Sequence, residues 1–182
     1  MRAIGYYRDM RKLFVFLGNP GKVYERTRHN SGFRLCDYLY PSLNWQKKFH
    51  ALYAQQEIKL LKPQTFMNES GISVEEAASF FHLVPEEILV AHDDLELPLG
   101  TARLQLGGGL QGHNGLKSIR EHLGSDQFAR LRIGIGRPSH GSVAQFVLDP
   151  FDMDEEIALS VLFPKIQDML NEINRMPQEI TL

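Results

Sequence analysis

Five side chains stand out for what they could do together: His29, Asp93, Asn19, Asn68 and Asn114. An imidazole, with an ordinary pKa near ~6.5, suits general-base work at neutral pH. A carboxylate beside it accepts the ring N–H, fixes the tautomer and stabilises the imidazolium that forms. Asparagine amides add neutral donors and acceptors that can hold a peptide backbone, position a water or stabilise an oxyanion. A covalent route has no obvious nucleophile. There is no Gly-x-Ser-x-Gly turn, and the single cysteine, Cys36, falls on the apolar face of an expected helix with Phe33 and Leu39. No His-Glu-x-x-His or paired-cysteine motif points to zinc. His92, Asp93, Asp94 and His113 could coordinate a divalent metal only if separate loops converged. The chemistry that remains is water-mediated hydrolysis by a histidine base, with no metal and no cofactor.

These residues need a scaffold to aim them, and each lies in or beside a loop at the end of an expected element. The apolar run 12–17 reads as a buried strand ending in the turn Gly18-Asn19-Pro20-Gly21. His29 arrives on the returning segment, before a helix over 30–40 stopped by Pro41. Read alone, that segment is equally a structural turn followed by a surface histidine. Residues 49–54 and 57–61 read as two strands joined by a short turn, and a helix follows Ser70-Gly71. A buried strand, Ile88 to Ala91, leads into His92-Asp93-Asp94. Alternation gives further strands over 101–106 and 130–135, with Arg103 and Gln105 on one face of the first and Arg130 and Arg132 on one face of the second. The glycine-dense loop 107–115 opens a helix over 116–123; with no Lys-Ser/Thr after its last glycine it does not fit a Walker loop. Val143–Leu148 is expected to be the last strand, and Asp152–Glu155 has the spacing of a capping box for a terminal helix reaching about Asn171.

Strands alternating with helices, plus one hairpin, indicate an α/β fold with a mixed sheet and helices on both faces. At 182 residues a single domain is expected over 1–182, with 1–11 as a flexible lead. No apolar run approaches the ~20 residues of a membrane helix and the amino terminus lacks a signal-peptide core, so a cytoplasmic location is expected. Net charge is only −2, yet it is unevenly spread: +7 over residues 1–50, −7 over 51–100, +4 over 101–140 and −6 over 141–182. The basic quarters are those holding His29 and Asn114, so a local basic face could meet phosphates. Chance segregation of solvated charges gives the same pattern.

Four stretches taken together, Leu17 to Gly21 with His29-Asn30, Lys62 to Gly71, Ala91 to Leu95 and Gly107 to Gly115, resemble bacterial-type peptidyl-tRNA hydrolases. The match runs in family order from about Lys12 to Phe151. The resemblance implies a single-domain three-layer sandwich around a largely parallel twisted sheet, working as a monomer without cofactor. It implies as substrate the ester that joins a nascent peptide to the terminal adenosine of a tRNA. In that reading His29 deprotonates the attacking water and Asp93 orients His29. Asn19 places the water or the scissile carbonyl, and Asn68 and Asn114 hold the peptide and the tRNA end. Tyr24 and Met67 match positions that line the cleft, although ordinary packing explains those two residues as well. Family members clamp a tRNA phosphate with a lysine at the position of Gln105 and an arginine matching Arg132; here the contact is expected from Arg132, helped by Arg103. Other departures are Leu110-Gln111 in the glycine loop, Glu96 where aspartate is common, and a short carboxyl-terminal tail. A non-catalytic RNA-interaction protein on the same fold, and a peptidase or amidohydrolase acting on small acylated substrates, are the alternative readings.

Overall fold

The structure, a computed structural model, describes residues 11–171 and 179–181. The lead expected over 1–11 therefore lies outside the described residues except for Arg11. Eight strands form one sheet: β1 Leu13–Phe16, β2 Gln46–Lys48, β3 Ala51–Gln55, β4 Lys59–Pro63, β5 Ile88–Asp94, β6 Thr101–Leu106, β7 Ala129–Gly134 and β8 Glu179–Thr181. Their order is β2-β3-β4-β1-β5-β7-β6-β8. The centre β4-β1-β5-β7 is parallel, and the strands at both sides pair antiparallel. Every residue of β1 and β5 is buried, as expected for parallel strands covered on both faces.

Alternation along β1 divides the core in two. Leu13, Val15 and Leu17 pack with Val74, Ala77 and Ala78 of α2 (Ser70–Phe81) and with Leu116 and Ile119 of α3 (Asn114–Leu123). Phe14 and Phe16 pack with Phe33 and Cys36 of α1 (Ser31–Leu39) and with Leu159, Leu162, Phe163 and Ile166 of α5 (Met153–Asn171). This is the expected three-layer sandwich. Burial pushes the Cys36 thiol up to about 12, which keeps it a protonated packing group.

The first turn of α1 sits hard against the strand ends. A Cβ at Gly32 would lie 2.5 Å from the Leu17 carbonyl oxygen and 2.6 Å from that of Ala91, so only glycine permits this approach. It brings the residues just before α1 over the carboxyl ends of β1 and β5, where open α/β sheets bind their ligands. The expected capping box forms at the start of α5: Glu155 N–H donates to Asp152 Oδ1 at 2.9 Å and Asp152 N–H to Glu155 Oε2 at 2.8 Å.

One expected element is wrong in type. Val143–Leu148 is a short helix, α4, rather than a strand. Its β-branched residues favoured a strand, but no sheet edge receives it. Coiled as a helix it turns Val143, Ala144 and Val147 together onto one cavity wall.

Candidate active site

Asp93 is buried near the end of β5, at 3% exposure. His29 comes from a 3-10 turn, Arg28–Asn30, that leads into α1. Its Nδ1 lies 2.9 Å from Asp93 Oδ1 and 3.0 Å from Oδ2. A second imidazole reaches the same carboxylate: His113 Nε2 is 3.0 Å from Asp93 Oδ1. His113 caps α3, and its Nδ1 accepts the backbone N–H groups of Gly115 at 3.1 Å and Leu116 at 3.3 Å. An Nδ1 that accepts carries no proton, so His113 must offer its Nε2–H to Asp93. With that donor already on Oδ1, the carboxylate also receives His29 Nδ1–H. The Nε2 of His29 then carries the bare lone pair, and it has no hydrogen-bond partner among the described residues.

The electrostatics agree with this arrangement. Burial pulls the His29 imidazole down, but the adjacent Asp93 charge and its hydrogen bond outweigh burial and hold it above its ordinary value. Burial would raise the Asp93 carboxyl; the adjacent His29 and His113 rings, both donating to it, overcome that and hold it far below the usual carboxylate range. Asp93 is therefore an anion throughout the neutral range. His92 behaves oppositely: burial, and then the neighbouring His113, lower it to about 3. Its Nδ1 donates to the Asp93 carbonyl oxygen at 2.7 Å, while its buried Nε2 has no hydrogen-bond partner among the described residues.

Asn19 and Asn30 line a second cavity, of about 580 Å³, rather than the one that holds His29 and Asp93. Asn30 Oδ1 accepts Asn19 N–H at 2.8 Å, and its Nδ2 donates to the Asn19 carbonyl at 3.0 Å. Asn19 Oδ1 in turn accepts Met67 N–H at 2.8 Å. The tight turn after β1 is thereby tied both to the histidine segment and to the loop bearing Asn68. Met67 is buried, Asn68 is exposed beside it, and Tyr24 meets Phe66 edge-on with ring centroids 6.3 Å apart.

His29, Asp93 and Asn114 line one cavity of about 380 Å³, walled further by Leu95, Leu110 and Val147. Arg132 and Arg103 stand outside it. Arg132 is buried, with Nε donating to Asp94 Oδ2 at 2.7 Å and Nη1 to Gln105 Oε1 at 2.8 Å. Arg103 pairs with Glu179 of β8. Neither expected phosphate contact is a free cation.

Two residues that build this arrangement carry little sequence signal. His113 reads from sequence only as a conceivable metal ligand; its place directly before the Asn114-Gly115 helix start is the signal for a capping side chain that leaves the other ring nitrogen to donate. Asn30 carried no signal beyond adjacency to His29. His29, Asp93 and His113 are also a group whose ligand-type atoms lie within 4.8 Å of one another. The imidazole nitrogens meet the carboxylate at hydrogen-bond distances, so an ion there would have to displace both N–H protons.

A polar constellation of this kind, at the carboxyl ends of parallel strands, is the hallmark of an α/β enzyme. A family model described as Peptidyl-tRNA hydrolase matches residues 13–180. The peptidyl-tRNA hydrolase of Acinetobacter baumannii is 36% identical with a TM-score of 0.77, over 90% of this chain and 94% of that one. A complex of peptidyl-tRNA hydrolase with N-propanol gives the same values. An arginine-to-glutamine variant of the Acinetobacter baumannii protein is 37% identical with a TM-score of 0.78, over 91% of this chain and 95% of that one. The chain belongs to the peptidyl-tRNA hydrolase family, and it is an enzyme that hydrolyses aminoacyl-tRNA esters. No helix among the described residues is long and apolar enough to cross a membrane.

Proposed function

We propose that this chain hydrolyses peptidyl-tRNA with His29 as general base and no covalent intermediate. His29 Nε2 takes a proton from water as the oxygen attacks the ester carbonyl. Asp93 stabilises the imidazolium that results. The tetrahedral intermediate collapses, the ribose oxygen of the tRNA leaves, and the proton on His29 goes to it. Free tRNA and a peptide carboxylate are the products. Amide donors from Asn19, Asn68 and Asn114 suit the peptide carbonyls, the tRNA end and the developing oxyanion, with Tyr24 and Met67 beside them. Arg132, with Arg103, is the proposed phosphate contact. Both are already paired with chain carboxylates, so phosphate must compete for them and the grip is weak.

The observation that carries this reading is the double donation onto Asp93. His113, its tautomer fixed by two backbone N–H groups, and His29 both donate to one carboxylate, so the neutral form of His29 carries its lone pair on Nε2. The test is release of tRNA from an N-acylated aminoacyl-tRNA and from its free-amine counterpart, in chelator, with wild type and His29→Ala. Expected are cleavage of the N-acylated ester that survives chelator and a ~10²–10⁴-fold lower kcat for His29→Ala, the usual worth of a general base. Activity lost to chelator and restored by a divalent ion would put a metal on the His29–Asp93–His113 group instead.

A further inference from the structure

The residue before the base is an arginine with almost no exposure, 8%. Arg28 makes an unusually complete set of contacts for one side chain. Its Nε donates to Glu155 Oε1 at 3.2 Å and its Nη2 to Glu155 Oε2 at 2.6 Å, a bidentate pair. Its Nη1 donates to the carbonyls of Phe146 and Asp149, both at 3.3 Å. Its guanidinium carbon lies 4.2 Å from the centroid of the Phe146 ring and 5.5 Å from that of Phe151. The backbone adds to this: Arg28 N–H donates to the Asp149 carbonyl at 3.1 Å, and Phe151 N–H donates to the Arg26 carbonyl at 3.2 Å.

These partners are not a random set. Phe146 and Asp149 lie in the last turn of α4 and just beyond it, where helix carbonyls have no partner within the helix. The opposite end of α4 supplies Val143 and Ala144 to the cavity that His29 lines. Glu155 belongs to the first turn of α5 and doubles as its capping-box residue. One guanidinium therefore joins the turn that carries the base, the helix that walls the substrate cavity, and the start of the helix that covers the sheet.

We infer that Arg28 is a positioning residue for the reaction: it fixes His29 against Asp93 and fixes α4 over the same cavity, so that base and cavity wall keep one relative placement. The inference rests on His29 being the base. Arg28 does not touch the reacting atoms. Its effect comes through geometry, where a displacement of about 1 Å can cost ~10²-fold in rate.

Lysine at this position keeps the charge but cannot bridge a carboxylate and two carbonyls at once. Arg28→Lys is expected to lower kcat ~10–100-fold with a smaller change in KM. Because an unpaired Glu155 could itself damage the fold, the double variant Arg28→Met with Glu155→Leu removes both charges together. It should fold, by circular dichroism and a cooperative thermal transition, and still lose kcat to a similar degree. The direct readout is the proton resonance of His29 Nδ1–H, which reports its hydrogen bond to Asp93. It should be present in wild type and absent or strongly shifted in both variants. Wild-type kcat and an unmoved resonance in either folded variant, with only Tm lowered, would overturn the inference and leave Arg28 a stability residue. His29→Ala run alongside separates the two claims: retained turnover there removes the base assignment, and the inference with it. An inactive His29→Ala beside fully active Arg28 variants removes the positioning role alone.

Discussion

Asp93→Asn is the sharpest perturbation of this site, because it changes one oxygen to nitrogen and leaves the shape nearly intact. In the native site Oδ1 receives two donors, His29 Nδ1–H and His113 Nε2–H, while Oδ2 lies 3.0 Å from His29 Nδ1. An amide offers one oxygen and one NH2. His113 has no freedom to adapt, since its Nδ1 is held by Gly115 and Leu116 N–H, so the amide oxygen must face it. The NH2 then falls at the Oδ2 position, 3.0 Å from His29 Nδ1, while the amide oxygen stays 2.9 Å from it. The ring nitrogen now faces a donor as well as an acceptor, so the tautomer with its proton on Nε2, which cannot accept a proton from water, competes with the productive one. The imidazolium also loses its counter-charge. Together these should cost most of the base's contribution, a kcat decrease of ~10²–10⁴-fold, or about 3–5 kcal/mol. The pH profile should move too. In wild type the carboxylate holds His29 above its ordinary value, so kcat/KM should rise with pH to an inflection above ~6.5. In the variant burial acts without the carboxylate, and the inflection of the residual activity should fall. Single-turnover cleavage of an N-acylated aminoacyl-tRNA over a pH series measures both. A kcat within threefold of wild type, or an unmoved inflection, would refute this reasoning.

Asn68→Ala and Asn114→Ala should raise KM more than they lower kcat, by about 1 kcal/mol each, if they hold ground-state substrate; steady-state kinetics decides, and a pure kcat effect would put that residue at the oxyanion. Arg132→Ala should weaken tRNA binding and reduce its log–log salt slope by at most ~1, because phosphate competes with Asp94 and Gln105 for this guanidinium; superimposable slopes over a salt series would remove the contact. Acidification should expose His92. Its folded value, about 3, lies below the unfolded ~6.5, so its contribution to stability is complete above pH ~6.5 and is lost as pH falls towards 3, by up to about 1.4 kcal/mol per unit. His29, raised on folding, works in the opposite sense: its contribution is present below ~6.5 and lost as pH rises through its folded value. Urea unfolding at pH 7 and pH 5 should therefore show a smaller loss for His92→Asn than for wild type, and equal losses would show that His92 carries no such linkage.

Most of the sheet was legible because its signals are local. Residues 101–106 alternate, and Ile88 to Ala91, which open β5, are continuously apolar, so length and period suffice. Elements whose only warrant is their neighbours were not. β2 is Gln-Lys-Lys, with no apolar residue to mark it, and its hairpin turns on Phe49 and His50, both at positive φ, instead of the Asn-Gly a reader looks for. The aromatic cluster of Phe49 with Tyr53, Phe80 and Phe81 accompanies that turn, and no local rule anticipates it. α4 departs from the expected strand with a related lack of local signal: the carbonyls at its end are met by Arg28, which lies 115 residues earlier than its first residue. At the site, the pairing of His29 with Asp93 could be expected from chemistry. Its dependence on His113 could not, because that rests on which way a capping ring turns.

The strut from Arg28 spans 127 residues of chain, from the first turn before α1 to the start of α5. During synthesis the amino-terminal half emerges first, and β1 can find β4 early. Asp93, His113 and finally Glu155 follow at ribosomal pace. The Arg28–Glu155 pair therefore closes only after residue 155 has emerged, later than the contacts of Asp93 and His113. Segments around residues 28, 93, 113 and 155 must all be made before these contacts around His29 can stand together.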